Sequence, residues 1–216
     1  MRQQQARRER RERYVIFGAV GVIVVLIAAG AAWGITRQRA ADNQPPALPK
    51  AVSGQRTTQP PWDLPADPVA GAERVGLRVE PMEGTAKHFH AHLDVLVDGE
   101  AVPVPANIGI HPSGTAMSEL HTHDQRGVLH IEAPSADRRY VLGQLFAEWD
   151  VRLDQNHLGG LAADQANGLR AYVDGKLYRG NPAAIELTAH RQIALVYGPK
   201  DAKVDVPASY NFSPGE

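Results

Sequence analysis

The chain has no cysteine in 216 residues. This excludes a disulfide framework, thiolate zinc sites, iron–sulfur clusters and cysteine nucleophiles, and it leaves the compartment to other features. Methionine is nearly as scarce: only Met82 and Met117 follow the first residue, which argues against a soft Cu(I) site. No HExxH helix, nucleophile elbow or P-loop occurs.

Long apolar runs are also missing, with one exception. Tyr14 to Ile35 is uncharged for 22 residues, a helix of about 33 Å against a hydrocarbon core of about 30 Å. Six arginines precede it and only Arg37 and Arg39 closely follow, so the positive-inside bias predicts a cytoplasmic N-terminus and an extracytoplasmic remainder. A cleavable signal peptide is the rival reading, although the run exceeds the usual h-region length. Gly30 and Gly34 form a GxxxG pair, which raises a homodimer as one partner expectation, beside a protein of the cell envelope.

Charge divides by side. Residues 1–13 carry six Arg and two Glu (+4), whereas residues 40–216 carry 15 basic and 22 acidic groups (−7), so nucleic acid is not an expected partner. The expected organisation is a basic cytoplasmic tail (1–13), a transmembrane helix (14–35), a Pro-rich linker (36–81) and a His-rich domain (82–216). The linker reading rests on eight prolines between Pro45 and Pro81 and on little apolar periodicity, with Trp62 and Leu64 as candidates for local packing.

What is abundant is histidine, in one place. Seven of nine histidines (88, 90, 92, 111, 121, 123 and 130) lie between His88 and His130. In "HFHAHLDVLV" the odd positions are apolar, and the even ones carry His88, His90, His92 and Asp94, the alternation of a strand with two unlike faces. Asp98-Gly99 predicts a two-residue turn, with 97 opposite 100, 95 opposite 102, 93 opposite 104 and 91 opposite 106. Pro103 and Pro105 then make 100–106 an expected sheet edge. In "SELHTHDQRGVLHIE" a turn at 124–127 pairs His121 with His130 and Leu120 with Ile131. Leu120, Leu129 and Ile131 take one face, and His121, His123, His130 and Glu132 the other.

Further along, Leu142, Leu145, Phe146 and Trp149 mark one face of an amphipathic helix. Asp174-Gly175 predicts another hairpin and "RQIALVYG" a buried strand. The expected fold class is α+β: a mainly β domain of hairpins with one helix. The "LGQLF … YVDGK … IEL … IALVYG" succession resembles the β-grasp arrangement over roughly residues 140–198, and implies a mixed sheet wrapped around that helix. The "HxHxHLDV … PANIGIH … ELHTHD … GVLHIE" set resembles a group of exported microbial proteins. That resemblance implies shared architecture and supplies no role for any residue.

Imidazole and carboxylate are ligands for zinc, copper, nickel and non-haem iron. Alternate histidines on a strand point the same way with Cα atoms about 6.6 Å apart, so an HxH pair can converge on one ion. His88 and His92 are twice that far apart. The expected ligands are therefore His90 and His92 with His121 and His123, while His130 replaces His121 or binds a second ion. Asp94, Asp124 and Glu132 are expected to orient imidazoles, or to serve as ligands themselves. The expected cofactor is a divalent ion, zinc or copper. A pH sensor, or polar cover for a solvent-facing sheet, remains open on these residues, and His111, His157 and His190 read more plainly as solvated surface residues. Three functions follow: a membrane-anchored metal-binding module; a metal-dependent hydrolase or oxidase with a water ligand and a carboxylate base; or a structural domain of the envelope.

Overall fold

The computed structural model describes residues 47–216. The expected basic tail (1–13), the apolar run at 14–35 and the start of the expected linker lie outside the described residues, and among the described residues no helix is long and apolar enough to cross a membrane. In chain order the elements are α1 (Ala70–Arg74), β1 (Val79–Glu80), β2 (Lys87–Val97), β3 (Glu100–Ala101), β4 (Met117–Ser118), β5 (Leu120–His121), β6 (Val128–Ala133), β7 (Tyr140–Val141) and α2 (Leu142–Glu148). They continue with β8 (His157–Leu158), β9 (Leu161–Ala162), β10 (Asn167–Val173), β11 (Lys176–Tyr178), a 3-10 turn (Pro182–Ala184), β12 (Glu186–Leu187) and β13 (Gln192–Pro199). The domain is mainly β with few helices.

Both Asp-Gly pairs close two-residue turns. Asp98 (φ 51°) and Gly99 (φ 88°), and likewise Asp174 (φ 50°) and Gly175 (φ 74°), hold the left-handed conformations that such turns require. Val97 lies opposite Glu100, and Val173 opposite Lys176. The main sheet runs β11-β10-β13-β2-β6-β5, with β3 also on β2. Its centre is the parallel pair β13 and β2, and every other pairing is antiparallel.

The return strand expected over 100–106 is shorter than the register allowed. Val102 N–H still donates to Val95 O, but Leu93 N–H donates to Gly127 O, because β6 occupies that edge of β2 from residue 92 backwards. The chain leaves before Pro103 and Pro105, so the couples 93–104 and 91–106 do not form. β6 pairs with β2 along this edge from Lys87 opposite Ala133 to His92 opposite Val128, which leaves no room there for the return strand.

The second departure concerns α2. Its four expected core residues, Leu142, Leu145, Phe146 and Trp149, are buried, but so is every other residue of the helix. The cover comes from residues 47–81, expected to be tether. Arg56 bridges Val151, Gly54 N–H donates to Val151 O, and Trp62 lies edge-on to Trp149 at 5.6 Å between centroids. The Trp149 indole N–H donates to Trp62 O at 3.0 Å. Gly71 of α1 meets α2 so closely that a Cβ there would stand 2.3 Å from Ala147 O. The described residues form one compact unit, which therefore begins well before residue 82.

Candidate metal centre

The site grows from pairing across the sheet. β2, β6 and β5 place His90 opposite His130 and His130 opposite His121, a row of three imidazoles on three adjacent strands. One step along, His88 lies opposite Glu132. His123 follows β5 in the loop and turns back, so its Nε2 is 3.2 Å from His121 Nε2. The expected register of the second hairpin, Leu120 with Ile131 and His121 with His130, is the one observed.

The nitrogen atoms converge. His90 Nε2 is 3.0 Å from His130 Nδ1, and His88 Nε2 is 3.3 Å from His90 Nε2. Ring centroids of His123 and His130 are 4.5 Å apart, and the rings of His121 and His130 stack at 5.5 Å. Glu132 Oε1 is 3.4 Å from His130 Nδ1 and 3.3 Å from His88 Nε2. Two donor groups result, each with all its ligand atoms within 4.8 Å of one another: His121, His123, His130 and Glu132, and His88, His90 and Glu132. Tetrahedral coordination with bonds of 2.0–2.2 Å separates ligand atoms by roughly 3.3–3.6 Å. The imidazole spacings of 3.0–3.3 Å lie at or slightly below the short end of that range.

Unlike a solvent-facing sheet surface, this face is largely enclosed. His121 is 0% exposed and His90 3%, while His88 and His123 remain open to solvent. The loop before β4 closes the far edge of β5: Thr122 N–H donates to Ile108 O, and Ser118 N–H to Gly109 O. Gly109 (φ 73°) is required there, since a Cβ would stand 2.5 Å from Leu120 O.

Burial keeps three of the imidazoles neutral. His121 Nδ1–H donates to Ser118 O at 2.8 Å, which fixes the tautomer and leaves the Nε2 lone pair facing His123. Burial pushes His121 down to about 4, against the lift from that carbonyl. Burial, then the neighbouring His123, His90 and His121, pushes His130 down to about 3. His90 is lowered by burial and then by His88. Glu132 is pushed up to about 7, first by burial and then by the charge of Glu83. At neutral pH these three histidines are uncharged, the form that coordinates a metal.

The remaining expected residues are placed elsewhere. His92 does not join the cluster: its Nδ1 meets Gln192 Oε1 at 2.9 Å, its Nε2 meets Arg126 O at 2.7 Å, and its ring stacks on Tyr210 at 3.7 Å. Asp94 accepts from Gln192 Nε2, and Asp124 is held by Arg126. His111 is paired with Ser113, His157 with Asp154, and His190 stacks on Phe212. One cluster member, His88, was not in the expected ligand set, and one neighbour of the cluster was not singled out at all. Spacing along the strand separates His88 from His92 and so left His88 out, and the neighbour, Glu83, 3.7 Å from His123 Nε2, carries no pattern that marks it. No family model, curated protein or solved structure matches the chain.

Proposed function

We propose that this protein is a metal-binding module that holds a divalent ion, zinc or copper, through His121, His123, His130 and Glu132. One observation carries the reading: β2, β6 and the β5 segment bring five imidazoles together with nitrogen–nitrogen distances of 3.0 Å (His90–His130), 3.2 Å (His121–His123) and 3.3 Å (His88–His90), and Ser118 O fixes the tautomer of His121. Neutral imidazoles can pair through single N–H···N bonds at these distances, but a surface that needs only polar cover does not require five of them to converge, whereas a cation does use converging lone pairs. The nitrogen and carboxylate donors suit Zn(II) or Cu(II). The apolar run at 14–35 and its arginine asymmetry support a membrane anchor with this domain on the extracytoplasmic side.

The same reading takes the fold to be β-grasp-like. It is supported by the strand order β3-β2-β13-β10-β11 around a parallel central pair, with α2 between the two hairpins.

The test is elemental analysis of the full chain, purified in detergent without a His-tag and then titrated with Zn(II) and Cu(II) against a competing chelator. Stoichiometric metal is expected, with affinity falling at least about 100-fold in the His121→Ala/His123→Ala variant. Weak binding shared by both proteins would overturn the proposal.

A further inference from the structure

The cluster holds more donors than one ion can use. Five imidazoles (His88, His90, His121, His123 and His130) and the Glu132 carboxylate form one connected network. A tetrahedral ion takes four donors, and a centre that kept all five rings on one ion would crowd them beyond what zinc or copper sites normally hold.

The geometry also shows where the excess divides. His88 Nε2, His90 Nε2 and Glu132 Oε1 form a separate triangle, with 3.3 Å from His88 to each of the other two. The contact of 3.0 Å between His90 and His130 is where this triangle abuts the first group. Glu132 Oε1 stands almost equally far from a ring nitrogen of each group, 3.3 Å from His88 and 3.4 Å from His130. A carboxylate in that position can bridge two ions, which in two-metal sites lie about 3.5–4 Å apart.

We infer that the cluster is a two-ion centre in which Glu132 bridges one ion held by His121, His123 and His130 to a second held by His88 and His90. The inference rests on the proposed metal binding and adds a second ion to it. Three protein donors around the second ion leave it a position for water or an exchangeable anion. The pairing of β2 with β6 sets the arrangement, because it puts His88 across from Glu132 and His90 across from His130.

The experiment compares the full chain with His88→Ala and with His88→Ala/His90→Ala. The single variant alters a solvent-exposed side chain, so it tests the second ion without disturbing the buried row. Zinc stoichiometry is measured by elemental analysis after equilibration with a chelator, and the Cu(II)-loaded protein is examined by electron paramagnetic resonance. Two ions per chain are expected, with a half-field signal from coupled Cu(II). In His88→Ala the second ion should bind at least tenfold more weakly. The double variant should hold one ion and give no half-field signal. One ion in every protein would overturn the inference and leave the metal-binding proposal standing. Two ions without coupling, or two ions retained in the double variant, would overturn the bridged arrangement. An unmodified chain that binds none would overturn both.

Discussion

Acidification should destabilise the metal-free protein through His121, and the amount follows from its burial. An unfolded histidine titrates near 6.5, whereas folded His121 is held at about 4 by loss of solvent. Between these values the unfolded chain binds the proton and the folded one does not. Stability is therefore fully present above about 6.5 and is lost as pH falls towards about 4. The loss works out at about 2 kcal/mol by about pH 5 and about 3 kcal/mol once both states are titrated. His130 acts in the same direction. Glu132 acts in the opposite one, because its raised folded value makes the native state take a proton first as pH falls through about 7. The unmodified profile thus mixes signs, and the informative quantity is a difference. Urea unfolding, followed by tryptophan fluorescence with metal chelated, would be run at about pH 7.5 and about pH 5 on the full chain and on His121→Gln. The variant should lose about 2 kcal/mol less over that interval. Equal losses in the two proteins would refute the claim that a buried, neutral imidazole occupies this position.

Two more predictions concern the packing that supports the site. Trp62→Ala should cost about 3–5 kcal/mol in urea unfolding, because the ring is 2% exposed and seats Trp149; an unchanged midpoint would mean that residues 47–81 are the inert tether that their prolines suggest. Glu148→Met should raise stability by about 1–3 kcal/mol near pH 7.5. Its carboxyl is fully buried without a hydrogen bond of good geometry, and burial pushes it well above the usual carboxylate range despite the nearby Ser118 hydroxyl. A lower midpoint would mean that this group is satisfied in solution.

The fold was legible wherever the signal was local. Asp-Gly pairs marked both two-residue turns and the pairing next to the first, and alternation gave the His121–His130 register, because a one-residue slip would turn the buried face outwards. Competition was not legible. Nothing in "EAVPVPANIGI" says that β6 takes the same edge of β2, since that is decided by which partner completes more of the ladder. The tether reading missed its buried part for a related reason. Trp62, Ala72 and Leu77 sit among prolines and glycines without any period, and segments that cover a helix through isolated anchors leave no periodic trace.

The site shows the same division between what one strand encodes and what neighbouring strands add. Reasoning along the chain pairs His90 with His92 and His121 with His123, because alternate residues share a face. The second pair does meet. The first does not, since each histidine answers to its neighbour across the sheet: His90 faces His130, while His92 lies opposite Val128 and turns to Gln192, Arg126 and Tyr210. Glu132, expected to orient a ring, instead stands between two rings because the pairing that aligns His90 with His130 also aligns His88 with Glu132. Shifting β6 by two residues would preserve both apolar faces but set His130 opposite His88 or His92 and move Glu132 away from His88, so the donor set would change. The register of β2 against β6 therefore sets the donor geometry, and the histidine spacing within each strand supplies only the candidates.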